Sequence, residues 1–597
     1  MTSNPPRTAG ILLHPTCLPG PHGVGDLGAG ARRFVEWLGE AGVALWQILP
    51  LVPPGPGESP YGTTSALAGN PWLVSLADLV DDGLLAASDL EGPPAFPLDW
   101  VDPAAMKAYK GPLLDKAADA LLDGANGELA AAFAGFREEQ PWVDDTALFL
   151  AIRAAHGERP WWEWPEGLRD RAKAALTKAK KDLGREIDRA AALQFLFDHQ
   201  WRALRRLCEK HGVIIVGDLP IYVDRDSADV WANRDQFRLH PDGSPIAVAG
   251  VPPDFFSETG QLWGNPLYDW ERMARDGHGW WVQRLQRARE LTDVVRLDHF
   301  RGFSAFWEVP AGASDARGGK WVDGPGTALF ADLSAALGHV PLIAEDLGVI
   351  DDGVIALREA LGLPGMRILQ FAFGEEADHP FLPHNYVAHC VCYTGTHDND
   401  TTLGWWQSTS DRVRDHVRRY LATSGQDIVW DLIRAAFASV ASMAVVPLQD
   451  VLRLDGRTRM NTPGTVENNW RWRVRIQAFN SPLAHRVREL VALYGRLPAA
   501  DGDHLQARSA TGDDPGPRDC PARRHRLFQC LGLQPAVHQQ RRPLRPAERG
   551  PDHLWPGLEP VVAVQPRWQL SGRRGGPARN HPRGSAPCLR KAPEHHR

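Results

Sequence analysis

The stretch PLIAEDLGVIDDGVIALREALGLPGMRILQFAF (341–373) decides the fold. It opens on a short apolar run that stops at Glu345-Asp346. DGVIALREALG (352–362), with helical spacing, follows, and a second apolar run, MRILQFAF (366–373), closes the unit. Continuous apolar runs of this length are what a strand buried on both faces of a parallel sheet requires. Two parallel strands also need a crossover between them, most often a helix. The same pattern recurs at ALWQILPLVP (44–53), VIIVGDLPIYV (213–223), VVRLDHF (294–300), VCYTGTHDND (391–400) and MAVVPLQDVL (443–452), with TALFADLSAALGH (327–339) as another helix. So many repeats predict an α/β fold, a (β/α)8 TIM barrel rather than an open sheet. In such barrels the chemistry sits on loops after the C-terminal ends of strands, which is where these runs carry their polar clusters.

The bulk properties exclude several classes. The chain has 597 residues, 43% hydrophobic and 23% charged, as in an ordinary soluble protein. A formal net charge of -7 speaks against a general nucleic-acid binder. No run reaches the roughly 18 apolar residues of a membrane span. MTSNPPRTAGILLH lacks the basic start and long apolar segment of a secretory signal. Seven scattered Cys fit a reducing cytoplasm better than a disulfide framework. Cys390 and Cys392 form one close pair, read as two small buried residues rather than metal ligands. Trp outnumbers Tyr by 23 to 8, a weak hint of sugar stacking beside the ordinary reading of Trp as core.

Two segments depart from the barrel pattern. FLAIRAAHG, LRDRAKAALTKAKKDLGREI and AALQFLFDHQWRALRRLCEKHG carry helical spacing and charged faces. They predict a helix-rich insertion at about 77–211 that ends in a long helix at about 187–211, with KAKKD a solvated face. The catalytic barrel therefore spans 1–500. Residues 501–597 differ in kind, with 17 Lys and Arg against 9 Asp and Glu, and no Ile, Tyr or Met from 511 onward. Their apolar content is too sparse for a core, which predicts a low-order, disordered tail. Our hypothesis for it is an out-of-frame reading of a GC-rich gene. Sequencing across codons 495–515 tests this, and an uninterrupted frame shared with close relatives defeats it.

The chemistry gathers at the strand ends. Arg296 and Asp298 are two apart and share a strand face. A guanidinium there is expected to lower the Asp298 pKa and keep the carboxylate ionised, as a nucleophile requires. The next strand end offers Glu345 and Asp346, 47 residues beyond Asp298 in the case of Glu345, a comfortable βαβ spacing. Two strands further on stand His397, Asp398 and Asp400, and VIIVGDLP supplies Asp218. Whichever acid lacks a cation partner is expected to be protonated near neutral pH by burial and like charges. One ionised and one protonated carboxyl is the pair that cleaves a glycosidic bond. Any one of these clusters alone reads as an ion pair or a helix cap. Three at successive strand ends also suit a Mg²⁺ site, but Arg296 and His397 among the ligands would repel a cation, so no metal is expected.

Longer motifs run through the chain in order: ILLHPTCLPGPHGVGDLG (11–28), SPYGTTSALAGNPWLVSL (59–76), VGDLPIYVDRDSADVW (216–231), VAGVPPDFFSETGQLWGNPLY (248–268), VVRLDHFRGF, LIAEDLG, GMRILQFAFG (365–374) and YTGTHDND. From about Gly10 to Arg496 the chain resembles the 4-alpha-glucanotransferases (amylomaltases, or disproportionating enzymes) of glycoside hydrolase family 77, in the α-amylase clan. Departures from the family pattern fall at Gly62-Thr63-Thr64 and at Phe255. The resemblance implies Asp298 as nucleophile, Glu345 as general acid/base and Asp398 as the third carboxylate, which holds sugar hydroxyls. It implies that Arg296 and His397 support the nucleophile and the bound glucose, and that Ser59, Tyr61, Asp218, Gln261, Trp263 and Asn461 line a glucan groove. For Tyr61 and Trp263 the residues alone favour plain loop packing.

The resemblance further implies transfer of α-1,4-glucan segments between maltooligosaccharides or glucose, with no cofactor and with neither nucleic acid nor membrane as partner. Residues 248–268 read as a loop, and in the family this loop covers the cleft. A lid of aromatics there would exclude water and favour a sugar acceptor. Two rivals are an α-1,4-glucan hydrolase of the same clan and a catalytically silent glucan-binding protein. Chain-length preference, cyclisation, temperature range and oligomeric state are not legible in the sequence.

Overall fold

A computed structural model describes residues 7–253 and 257–498. Twelve strands lie among the described residues: β1 Thr8–Leu12, β2 Leu45–Gln47, β3 Ile214–Leu219, β4 Ala247–Val251, β5 Gln261–Pro266, β6 Val294–Leu297, β7 Ala305–Pro310, β8 Lys320–Asp323, β9 Leu342–Ala344, β10 Gly365–Ile368, β11 Cys390–Tyr393 and β12 Met443–Pro447. Eight form one sheet, in the order β10-β11-β12-β1-β2-β3-β6-β9. Every pairing in it is parallel. Across the remaining gap the Ala344 N–H donates to the Pro364 carbonyl at 3.0 Å, between the end of β9 and the start of β10. The ring thus runs in chain order, as a (β/α)8 barrel does.

The barrel strands are buried almost throughout, as their apolar composition demands. The polar exceptions Gln47, Asp218 and Arg296 lie at or near C-terminal strand ends. Register sets Asp218 on β3 opposite Arg296 on β6. The barrel has one strand more than the apolar runs suggested. The extra one, β1, holds Gly10, where a Cβ would lie 2.9 Å from both Leu45 Cβ and Val445 Cγ2. A strand whose middle residue must lack a side chain gives a weaker apolar signal.

Between β2 and β3 the chain is helical, with helices at Leu76–Asp81, Pro103–Leu122, Gly127–Glu139, Trp142–Ala155, Glu166–Arg169, Lys173–Asp182 and Gly184–Lys210. The last buries Ile187, Ala191, Phe195, Leu204 and Cys208 at helical spacing and stops before Gly212, whose φ of 68° favours glycine. KAKKD lies on the helix Lys173–Asp182, whose only buried residue is Ala179.

The reading of 248–268 as a loop needs correction. It holds β4 and β5, which pair antiparallel in a second sheet of order β5-β4-β7-β8. The pairing shifts register between Val248 and Gly250, and a Cβ on Gly250 would lie 2.6 Å from the Gln261 carbonyl oxygen. A bulge, close-packed glycines and Pro252-Pro253 broke the alternation that marks a strand. Phe255 and Phe256, and the tail 501–597, lie outside the described residues.

Candidate active site

Asp298 follows β6 directly, and Glu345 follows β9 directly. These strands are neighbours, and the backbone stitches their ends together. The Glu345 N–H donates to the Leu297 carbonyl at 3.1 Å, and the Phe300 N–H to the Glu345 carbonyl at 3.1 Å. The Glu345 side chain is held at both oxygens, Oε2 accepting from the His299 N–H at 2.6 Å and Oε1 from the Leu347 N–H at 2.9 Å. Asp346, which sequence parity did not separate from Glu345, faces elsewhere. It accepts from the Met366 N–H at 2.6 Å and pairs with Arg358 at 2.5 Å.

A chain of ion pairs and hydrogen bonds joins Asp298 to Asp398. Nη1 of Arg296 lies 2.9 Å from Asp298 Oδ1 and donates to Asp218 at 2.7 and 2.8 Å. Tyr61 Oη donates to Asp218 Oδ2 at 2.7 Å. That hydroxyl has one proton, so its 2.8 Å contact with His397 Nε2 places a proton on Nε2, donated to the tyrosine oxygen. The same nitrogen lies 3.2 Å from Asp398 Oδ2, and Asn461 Nδ2 donates to Asp398 Oδ1 at 2.6 Å. Tyr61 and His397 stack at 5.2 Å, with Trp470 5.9 Å from each ring.

These surroundings set the charge state of each of the three acids. Burial pushes Asp298 up to about 6; Arg296 opposes this, but Asp218 and Asp398 reinforce it. The expectation that Arg296 holds Asp298 below its ordinary range is thus corrected. The guanidinium is shared with Asp218, and burial outweighs its remaining help. Glu345 is pushed up further, to about 8, by burial first and by the Asp298 charge second. Burial also acts on Asp398, yet His397 and the hydrogen bonds from His397 and Asn461 outweigh it and bring the group to about 2. Around pH 7 the mouth therefore holds ionised Asp298, protonated Glu345 and ionised Asp398.

The remaining candidates sit around this core. Asp218, expected in the groove, has a fully buried side chain and braces Arg296 and Tyr61 instead. Ser59 Oγ accepts from the Tyr61 N–H at 3.2 Å and orients that residue. Trp263 Nε1 donates to Gln261 Oε1 at 3.1 Å, and the indole, 37% exposed, meets the His299 ring edge-on at 4.8 Å. Asp400 faces Gly404 and Gly456 rather than the mouth. Among the described residues no group of three or more His, Cys, Asp or Glu has the arrangement of a metal site. Cys390 and Cys392 are packed in the core.

Sequence reasoning missed His299, Tyr222 and Trp470. His299 takes a left-handed backbone, φ 50°, which aims its N–H at Glu345, and burial pushes its ring down to about 3, so it stays neutral. Tyr222 lies 6.2 Å from Trp263 and completes an aromatic shelf beside the acid. His299 stands next to Asp298 in RLDHF, but nothing in the sequence marks a positive φ there.

A parallel barrel with one ionised and one protonated carboxyl at adjacent strand ends on its C-terminal rim has the build of an enzyme that acts on glycosidic bonds. Comparison with known proteins is specific. The 4-alpha-glucanotransferase family pattern matches residues 13–478. The 4-alpha-glucanotransferase of Thermus thermophilus is 48% identical over 501 residues, covering 82% of this chain and 99% of the relative. The chloroplastic/amyloplastic enzyme of Arabidopsis thaliana is 48% identical over 498 residues, 82% of this chain and 86% of its own length. Among solved structures, the amylomaltase of Streptococcus agalactiae in complex with acarbose superposes with a TM-score of 0.80 at 35% identity, covering 82% of this chain and all of that one. The chain belongs to the 4-alpha-glucanotransferase family, glycoside hydrolase family 77.

Proposed function

We propose that this enzyme moves α-1,4-glucan segments between maltooligosaccharides, or onto glucose, by a retaining double displacement carried by Asp298, Glu345 and Asp398. The observation that carries the reading is the state of Glu345. Its two oxygens accept backbone N–H groups while burial and Asp298 hold its proton on. A carboxylic acid keeps a lone pair for each of those contacts, and its proton is left for a leaving oxygen.

Asp298 attacks the anomeric carbon as Glu345 protonates the departing glycosidic oxygen, giving a β-glucosyl ester on Asp298 and an ionised Glu345. The 4-hydroxyl of a second glucan then gives its proton to Glu345 and attacks the anomeric carbon, breaking its bond to the Asp298 oxygen. Asp298 leaves as a carboxylate, and two inversions restore the α bond. Asp398, ionised and anchored by Asn461, accepts from sugar hydroxyls, and Arg296 spreads the charge on Asp298. The Trp263, His299 and Tyr222 shelf beside Glu345 offers an apolar surface to an acceptor sugar and keeps water from the ester.

Incubation of pure enzyme with maltotriose tests the reading. Glucose together with a ladder of longer maltooligosaccharides is the expected result. Shorter sugars alone would mean hydrolysis, and unchanged maltotriose a silent binder. We place the protein in the cytoplasm, since Cys17, Cys208, Cys390 and Cys392 are all free and buried. Among the described residues no helix is long and apolar enough to cross a membrane.

A further inference from the structure

We propose that Asp450, which has no part in the reaction above, is the positioning residue that fixes the His397–Asp398 turn at the barrel mouth. The inference rests on the role given to Asp398. After β11 ends at Tyr393, the chain reaches its next helix only at Thr402. His397 and Asp398 lie in the middle of that excursion, where no strand or helix holds them. Asp450 comes from the end of the neighbouring strand β12, on the one-turn helix Leu448–Val451.

Its side chain is completely buried, and both oxygens are occupied. Oδ2 accepts from the hydroxyls of Thr394 at 2.6 Å and Thr402 at 2.7 Å, and Oδ1 accepts from the Thr402 N–H at 2.7 Å. One carboxylate thus ties the first residue of the excursion to the residue that ends it. The Thr402 N–H is an obligate donor and both hydroxyls turn their protons toward the carboxylate, so it acts as the common acceptor of the three. A buried carboxylate is costly unless donors meet it. What it supplies that an apolar side chain would not is direction, because it fixes both ends of the turn at hydrogen-bond length. Gln370 braces the same excursion from the other side. Its N–H donates to the Thr394 carbonyl at 3.3 Å, and its side-chain amide to the Asp400 carbonyl at 2.9 Å.

Reacting groups must hold their places closely, and a displacement of about 1 Å costs on the order of 100-fold in rate. Asp450→Asn replaces the oxygen that takes both hydroxyl protons by an NH2 group, so both hydroxyls must turn away from their present geometry. The substitution is expected to lower kcat by about 10- to 100-fold, with KM for the acceptor within about twofold of wild type. A double-mutant cycle separates positioning from general damage. In an Asp398→Asn background the same change is expected to cost less than about threefold, because the residue it acts through is already gone. Thr402→Ser keeps both bonds to Asp450 and should retain near-normal kcat, while Thr394→Val loses one bond and should fall between. A folded Asp450→Asn with kcat within twofold of wild type, or an equal loss in both backgrounds, overturns the proposal. If near-UV circular dichroism shows Asp450→Asn unfolded, Thr394→Val takes its place in the cycle under the same criteria. An Asp398→Asn enzyme of near-normal kcat would instead remove the role of Asp398 on which the inference stands.

Discussion

Around the barrel mouth, the acids at the ends of β6 and β9 and the acid beyond β11 keep different company. Asp298 shares a single guanidinium with Asp218, and Glu345 is offered only backbone N–H groups. Asp398 receives the Asn461 side-chain amide and lies 3.2 Å from the His397 Nε2 that it shares with Tyr61. All three carry the same functional group and all three lose solvent, yet the first two are pushed up and the third is pulled down. Burial raises all three, and the charge follows whether the opposing contacts overcome it: those from His397 and Asn461 do at Asp398, while Arg296 at Asp298 and the two N–H groups at Glu345 do not.

Breaking the ionised side of this contrast should have the largest effect. Asp298→Asn removes the nucleophile and is expected to cut maltotriose disproportionation by at least about 10⁴-fold, with an unchanged circular dichroism spectrum. Glu345→Gln removes the acid and should cost about 10²- to 10⁴-fold with maltotriose. Its loss should shrink with a glycosyl fluoride donor, whose leaving group needs no protonation, as parallel initial rates would show. Asn461→Ala takes one dedicated donor from Asp398. The hydrogen bond to a charged group is worth about 1.5–3 kcal/mol, so kcat/KM should fall by about 10-fold and no further than about 100-fold. Trp263→Ala opens the shelf beside Glu345. It should raise the ratio of hydrolysis to transfer by a few-fold, read as reducing ends released per glucose transferred.

The sequence carried the barrel because its strands are buried on both faces and so announce themselves as apolar runs. Where burial was not the governing constraint, the signal failed. Gly10 sits in β1 because two neighbouring side chains leave no room, and Gly250 sits in β4 because a carbonyl approaches it. Both read as breaks. The three carboxylates were legible as polar residues stopping apolar runs, and the family resemblance separated Glu345 from Asp346. The direction of the Asp298 pKa shift was not legible, since spacing put Arg296 beside it but did not reveal that Asp218 lies opposite and draws on the same guanidinium. Asp450 stood in plain view in MAVVPLQDVL. Only the fold brings Thr394 and Thr402 to it.

The pH dependence of kcat/KM for maltotriose disproportionation tests the charge assignment most directly. Activity needs Asp298 ionised and Glu345 protonated, so the rate should rise with pH through about 6 and fall again through about 8. A bell of that form, whose alkaline limb vanishes in Glu345→Gln assayed with a glycosyl fluoride donor, is the predicted result. A profile flat from pH 5 to 9, or an alkaline limb that survives the loss of the Glu345 carboxyl, would contradict the account.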